Sequence, residues 1–183
     1  MKKCVLLIIK GFDPELAQGI CNELQNWKRI LNNAVSGALC NRVPIGWQIG
    51  VSQALCGMQV SEIALGRHLT DFYPGIGLTV AAYGLPTEKS ENPNTCLEKM
   101  LDDDRSILRE ATKHMAKNMS DLTVIALSNA EELLRHDKGD EYLSEIDCLI
   151  GELLDVIDDN TVLFILSPYK MSLLFKSSQY TEI

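Results

Sequence analysis

The stretch Asn160–Ser172, NTVLFILSPYKMS, decides the fold class. Thr161–Leu166 is β-branched or aliphatic with one Phe, as a strand buried in a sheet requires. Ser-Pro-Tyr-Lys-Met follows at once, and Pro168 ends any ladder. In an open α/β sheet the carboxyl end of a strand is where chemistry is usually placed. Here that end offers Pro168 and Tyr169, with no carboxylate, imidazole or thiol.

Working outward, the same kind of apolar run recurs at Val5–Ile9, Leu78–Tyr83 and Leu122–Leu127, with a shorter candidate at Gly37–Asn41. Helical patterns lie between the runs. Asp13 and Pro14 suit the N-cap and first turn of a helix through Leu16 to about Trp27. Ile49–Met58 and the charged amphipathic stretch Cys96–Asn118 read as further helices. Over Tyr142–Ile157 the apolar residues Ile146, Leu149, Ile150, Leu153, Leu154 and Ile157 form one face of a 3.6-residue period. Gly66–Gly77 and Pro86–Asn94, with their Pro and Gly, read as loops. Strands alternating with helices predict a three-layer α/β sandwich around a mostly parallel sheet.

The chain has 183 residues, enough for one domain spanning 1–183 with a sizeable core. Its formal net charge of −8 argues against nucleic acid and anionic membrane as partners, both of which reward a basic face. The apolar run after Lys2-Lys3 stops at Lys10, too short for a signal peptide, and no run reaches the length of a membrane span. The six Cys make no CxxC or zinc-like spacing. Most lie among apolar residues, so they read as core thiols in a reducing, cytoplasmic protein without cofactor.

Four segments in order resemble one family, the alkaline-phosphatase superfamily, in particular its type I phosphodiesterase/nucleotide-pyrophosphatase branch. VLLIIKGFDPEL resembles its first strand and turn, and NRVPIGWQIGVSQALCGM its nucleophile segment. DLTVIALSNAEELLRHDKGDEYLSEIDCLIGELLDVIDD resembles the strand, Asp-x-x-x-His pair and following helix. TVLFILSPYKM resembles the strand that ends in Ser-Asp-His-Gly-Met. The resemblance implies an alkaline-phosphatase-like core, and in active members two divalent metals and a Thr or Ser nucleophile at the strand tips.

In this chain the implied metal-binding Asp falls on Lys10, the nucleophile on Gly46, and the Asp-His pair on Pro168 and Tyr169. Only Glu132 and His136 fall on a ligand pair in usable form. A downstream His has no counterpart before Ile183, so the core reads as shortened. A Lys about 4 Å from a dication, at an effective dielectric of 20, repels it by roughly 8 kcal/mol. Gly46 has no side chain to attack phosphorus. A degenerate site therefore replaces the catalytic one, with no metal assigned. Ligand-binding candidates are Lys10, Trp47, Glu132, His136 and Tyr169, with Lys10 expected to pair with Glu132 because a buried carboxylate without metal needs a partner. Two ligands are too few for firm metal binding, so the expected roles are an ion pair for Glu132 and a cap or loop position for His136.

These points predict a non-hydrolytic pseudoenzyme that binds a partner protein or a small anionic ligand. A shortened sheet leaves an edge or an apolar face uncovered, which predicts a homo-oligomer or partner complex. Two alternatives stand beside it: a metal-independent enzyme using Lys10, Tyr169, Glu132 and His136 as acid/base groups, and weak residual phosphodiesterase activity. Elsewhere, Asp102-Asp103-Asp104 reads as a solvated helix start. His114 reads as a solvated helix residue, His68 as a loop residue, and Ser52 has no His-Asp pair to activate it.

Overall fold

A computed structural model of the chain describes residues 2–12, 24–35, 47–56, 69–86, 96–136 and 139–168. Four strands, β1 (Lys3–Ile9), β2 (Val80–Tyr83), β3 (Leu122–Leu127) and β4 (Thr161–Leu166), form one sheet in the order β2-β3-β1-β4. Every pairing is parallel. The helices are α1 (Gln25–Asn33), α2 (Trp47–Cys56), α3 (Leu69–Gly75), α4 (Leu97–Asn118), α5 (Ala130–Arg135) and α6 (Gly139–Val156).

The two-residue period of a strand sends alternate side chains of β1 to opposite faces. Val5, Leu7 and Ile9 enter a core shared with Trp27 of α1, Leu108 of α4 and Leu149 of α6. Ile8 faces the other way and packs with Val51 and Leu55 of α2. Leu69 and Tyr73 of α3 flank that second core. The sheet is therefore covered on both faces at β1 and β3, and the chain is an α/β three-layer fold. The right-handed crossover rule accounts for the sides. From β2 to β3 and from β3 to β4 the chain steps in one direction across the sheet, and α4 and α6 share a face. From β1 to β2 it steps back, and α2 and α3 take the opposite face.

α1 is docked by a carboxylate from another helix. No side chain caps its first turn from Leu24. Instead Asp147 of α6 accepts from the Trp27 backbone N–H at 2.7 Å and the Asn26 backbone N–H at 3.2 Å. The Asn26 side chain also donates to the Asp147 backbone carbonyl at 3.1 Å. The approach is close enough that a Cβ on Gly151 would stand 2.6 Å from Asn26 Nδ2. Phe12 meets Trp27 edge to face at 4.7 Å, which fixes the chain as it leaves β1.

Several expectations change. Where the sequence predicts a helix through Leu16 to about Trp27, α1 begins at Gln25, after an extended Leu24, and runs to Asn33, its first turn secured by Asp147; residues 16–23 lie outside the described residues. Gly66–Gly77 is not a loop throughout. Leu69–Gly75 is helical with Pro74 inside it, although the ring removes one backbone donor there. Gly77 N donates to Pro74 O and Leu78 N to Tyr73 O, a Schellman closure that uses the turn residues as a helix stop. β4 is not a fully buried strand. It pairs only with β1 among the described residues, and Val162 and Phe164 are 38% and 55% exposed. The thiols of Cys96 and Cys148 are exposed and not in the core, because Cys96 precedes α4 and Cys148 lies on the outer side of α6. Cys4 is half-buried, and burial raises its thiol pKa. The strand expected at Gly37–Asn41, the Asp13-Pro14 cap, His68 and most of the Pro86–Asn94 loop lie outside the described residues.

Candidate functional site

The carboxyl ends of β1, β3 and β4 lie side by side. The β1–β4 register runs to Ile8 and Leu166, and Lys10 and Pro168 each follow two residues later. The β1–β3 register runs to Ile9 and Leu127, and the Lys10 backbone N–H donates to Leu127 O at 2.9 Å. Two of the expected site positions, Lys10 and Pro168, are thus brought to neighbouring strand tips.

α5 lies directly against this end. Gly11 has φ +64°, and a Cβ there would stand 2.8 Å from Glu131 Cβ, so only glycine allows the β1 tip to meet α5. Six residues of α5 and its cap carry four charged or titratable groups. Glu131 pairs with Arg135, and the other Arg135 nitrogen lies 4.0 Å from Glu132. Glu132 Oε1 and His136 Nε2 are 3.0 Å apart, one turn along the helix. His136 also serves as the C-cap, its backbone N–H donating to Leu133 O. The expected ion pair of Glu132 and cap role of His136 are both present. The expected pair of Lys10 with Glu132 is not: the ion pairs of Glu132 are with Arg135 and His136 of its own segment. Their fixed separation of three and four residues on one helix gives them the shorter path.

Gly46 and Tyr169 lie outside the described residues, and Trp47 opens α2 with only its backbone described. Among the described residues no three His, Cys, Asp or Glu side chains are placed together to hold a metal ion. Among the described residues, Lys10 and Pro168 stand at the tips of β1 and β4, and Glu132 and His136 on α5 are joined to each other.

Beside this corner stands a group that the sequence reading placed in solvent. Asp104 is fully buried, contrary to the expected solvated start of α4, whereas Asp102 and Asp103 are exposed. It projects from α4 between β3 and α6. Asp104 Oδ2 accepts from Tyr142 Oη at 3.0 Å and from the Asn129 backbone N–H at 3.2 Å. Oδ1 accepts from Asn129 Nδ2 at 2.9 Å, and that amide also donates to Met100 O at 3.1 Å. Burial pushes the Asp104 carboxyl up to about 7, against the lowering effect of bonds from Tyr142, Asn129 and Ser128. Burial, then the Asp104 charge, raise the Tyr142 phenol well above its ordinary value. Asn129 is the N-cap residue of α5, yet its side chain makes no cap bond because it is committed to Asp104. The signal for this cluster was available: Asp104 occupies the apolar stripe Leu101, Leu108, Ala111 and Met115 at helical spacing.

On α4, His114 is exposed as expected but engaged, with Nδ1 2.5 Å from the Tyr83 hydroxyl. The outer seam between α4 and α6 is held by Arg105, which contacts Glu145 at 2.8 Å and Asp102 at 2.5 Å. No described helix is long and apolar enough to cross a membrane. No protein-family model and no curated protein matches the chain.

Proposed function

We propose that the chain is a non-hydrolytic binding or assembly protein built on an alkaline-phosphatase-like core, with a pseudo-site at the carboxyl ends of β1 and β4. The observation that carries this reading is the chemistry of those ends. Where the resemblance implies metal-binding carboxylates and imidazole, the neighbouring tips present Lys10 and Pro168. The one acid–imidazole pair of the resemblance, Glu132 with His136, is closed on itself. Two-metal hydrolysis needs a cage of anionic ligands and a nucleophile, and each part is replaced separately. The cationic Lys10 suits a small anion or an acidic partner side chain. The half-exposed apolar face of β4 supplies an assembly surface, through which the chain pairs with a second copy or a partner protein.

Metal analysis after dialysis against zinc and manganese, with turnover of a chromogenic phosphodiester measured in parallel, tests the pseudo-site. The expected result is less than one metal per chain and no turnover sensitive to a chelator. Stoichiometric metal with chelator-sensitive turnover would overturn the reading. Light scattering on the purified protein tests assembly, and a monomer at micromolar concentration without a co-purifying protein argues against it.

A further inference from the structure

We propose that Asp104 is a proton-operated latch: as a carboxylate it ties the corner between β3 and α5 to α4 and α6, and on taking up a proton it turns the Asn129 amide over, breaking its bond to Met100 of α4 and loosening the start of α5. This holds whether or not the corner binds a ligand.

The proposal rests on counting donors and acceptors. Besides the weaker pull of the Ser128 backbone, three hydrogens lie within bonding distance of the two Asp104 oxygens: two on Oδ2, from the Asn129 backbone N–H and Tyr142, and one on Oδ1, from Asn129 Nδ2. A carboxylate accepts all three, whereas a neutral acid carries a hydrogen of its own that needs an acceptor. A proton on Oδ1 faces the Asn129 NH₂. It is accommodated when that amide turns over to present its oxygen, which gives up the bond to Met100 O. A proton on Oδ2 faces a backbone N–H, which cannot accept, and the Tyr142 hydroxyl. If Tyr142 accepts, its own hydrogen is left inside the core with Tyr142 fully buried. An unpaired buried donor costs more than turning one amide. Protonation therefore acts on Asn129, the residue that starts α5.

Among the described residues, the elements around Asp104 make no ion pair to it, so none holds it in one state. On α4 itself, Arg105 is engaged by Asp102 and Glu145, and Asp103 is exposed. On α6 the group that faces Asp104 is Tyr142, while Glu145 is turned to Arg105 and Arg109. Glu131, Glu132, Arg135 and His136 of the α5 segment pair among themselves. β3 contributes no titratable residue. Burial without a cation, opposed only by neutral donors, puts the titration near neutrality, where a modest pH change moves the population.

Carbon-detected NMR of the Asp104 carboxyl, followed from pH 5 to pH 9 with the Asn129 side-chain amide and the backbone amides of 131–135, tests the latch. The expected result is one shared midpoint near 7. It should persist in His136→Gln, which removes the imidazole paired with Glu132, and disappear from the α5 amides in Asp104→Asn. Tyr142→Phe removes one donor to the anion and should move the midpoint upward, and this variant carries the test if Asp104→Asn does not fold. The latch is overturned if the Asn129 amide ignores the Asp104 titration, or if the α5 response vanishes in His136→Gln. A midpoint unmoved by Tyr142→Phe overturns it too.

Discussion

β3 and β4 each have five apolar residues and one Thr, LTVIAL and TVLFIL, and both pair in parallel with β1. Every residue of β3 is buried, between two partner strands and beneath helices on both faces. β4 has β1 on one side only among the described residues. Leu163 and Ile165 pack into the core shared by α4 and α6, and Val162 and Phe164 face outward. The difference shows that a strand's place in the order, not its own hydropathy, decides how much of it is lost to solvent. β3 anchors the fold, and β4 keeps one face for contact.

That contrast can be broken by mutation. Ile125→Ala in β3 leaves a cavity in a fully buried position and should cost about 4 kcal/mol in a urea titration. If it cost no more than a change at Phe164, β3 would not be the anchor. The second test sharpens what lies at the end of β3. Asp104 has a folded pKa of about 7 against an ordinary value of 3.8, so the folded state holds a proton that the unfolded state gives up. This contribution is fully present below pH 4 and is lost as the pH rises through 7. Between pH 5 and pH 8 the wild type should lose roughly 3 kcal/mol that Asp104→Asn does not, read as the difference between the two slopes.

Asp147→Ala should cost about 2 kcal/mol, because it strands the Trp27 N–H, which is buried, and the Asn26 N–H, which is partly so. Loss of α1 signals before global unfolding would be its mark in hydrogen exchange. Phe164→Ala should cost less than about 1 kcal/mol of monomer stability, the range of exposed substitutions. Phe164→Asp should lower the assembled mass in light scattering while leaving the fold intact. An unchanged oligomer would show that β4 is not the contact face.

The alternating strands and helices were legible because each long element announces itself. Leu122–Leu127 and Thr161–Leu166 have the bounds expected of them, and the α6 stripe of Ile146, Leu149, Ile150 and Leu153 is buried as its period requires. Strand order was not legible, since nothing within TVLFIL says how many neighbours it has. α3 was hidden because Pro74 and Gly75 read as a turn whether they lie inside a loop or close a short helix. At the candidate site, the Glu132–His136 contact followed from one-turn spacing. Asp104 was missed because three consecutive Asp residues suggest solvent when read by composition. Read at helical period, its position between Leu101 and Leu108 falls on the buried stripe. The pairing of Asp147 with α1 spans more than a hundred residues and had no local signal.

The notch at Gly151 bears on the order in which the molecule can be put together. α1 has no cap of its own, and nine residues are too few for a helix to persist alone in water. Its start is completed by a carboxylate one turn before Gly151 on α6, in a seat shaped by the missing side chain. α1 thus waits for a helix encoded more than a hundred residues later. During synthesis at the ribosome, α1 must remain unfinished until α6 has emerged.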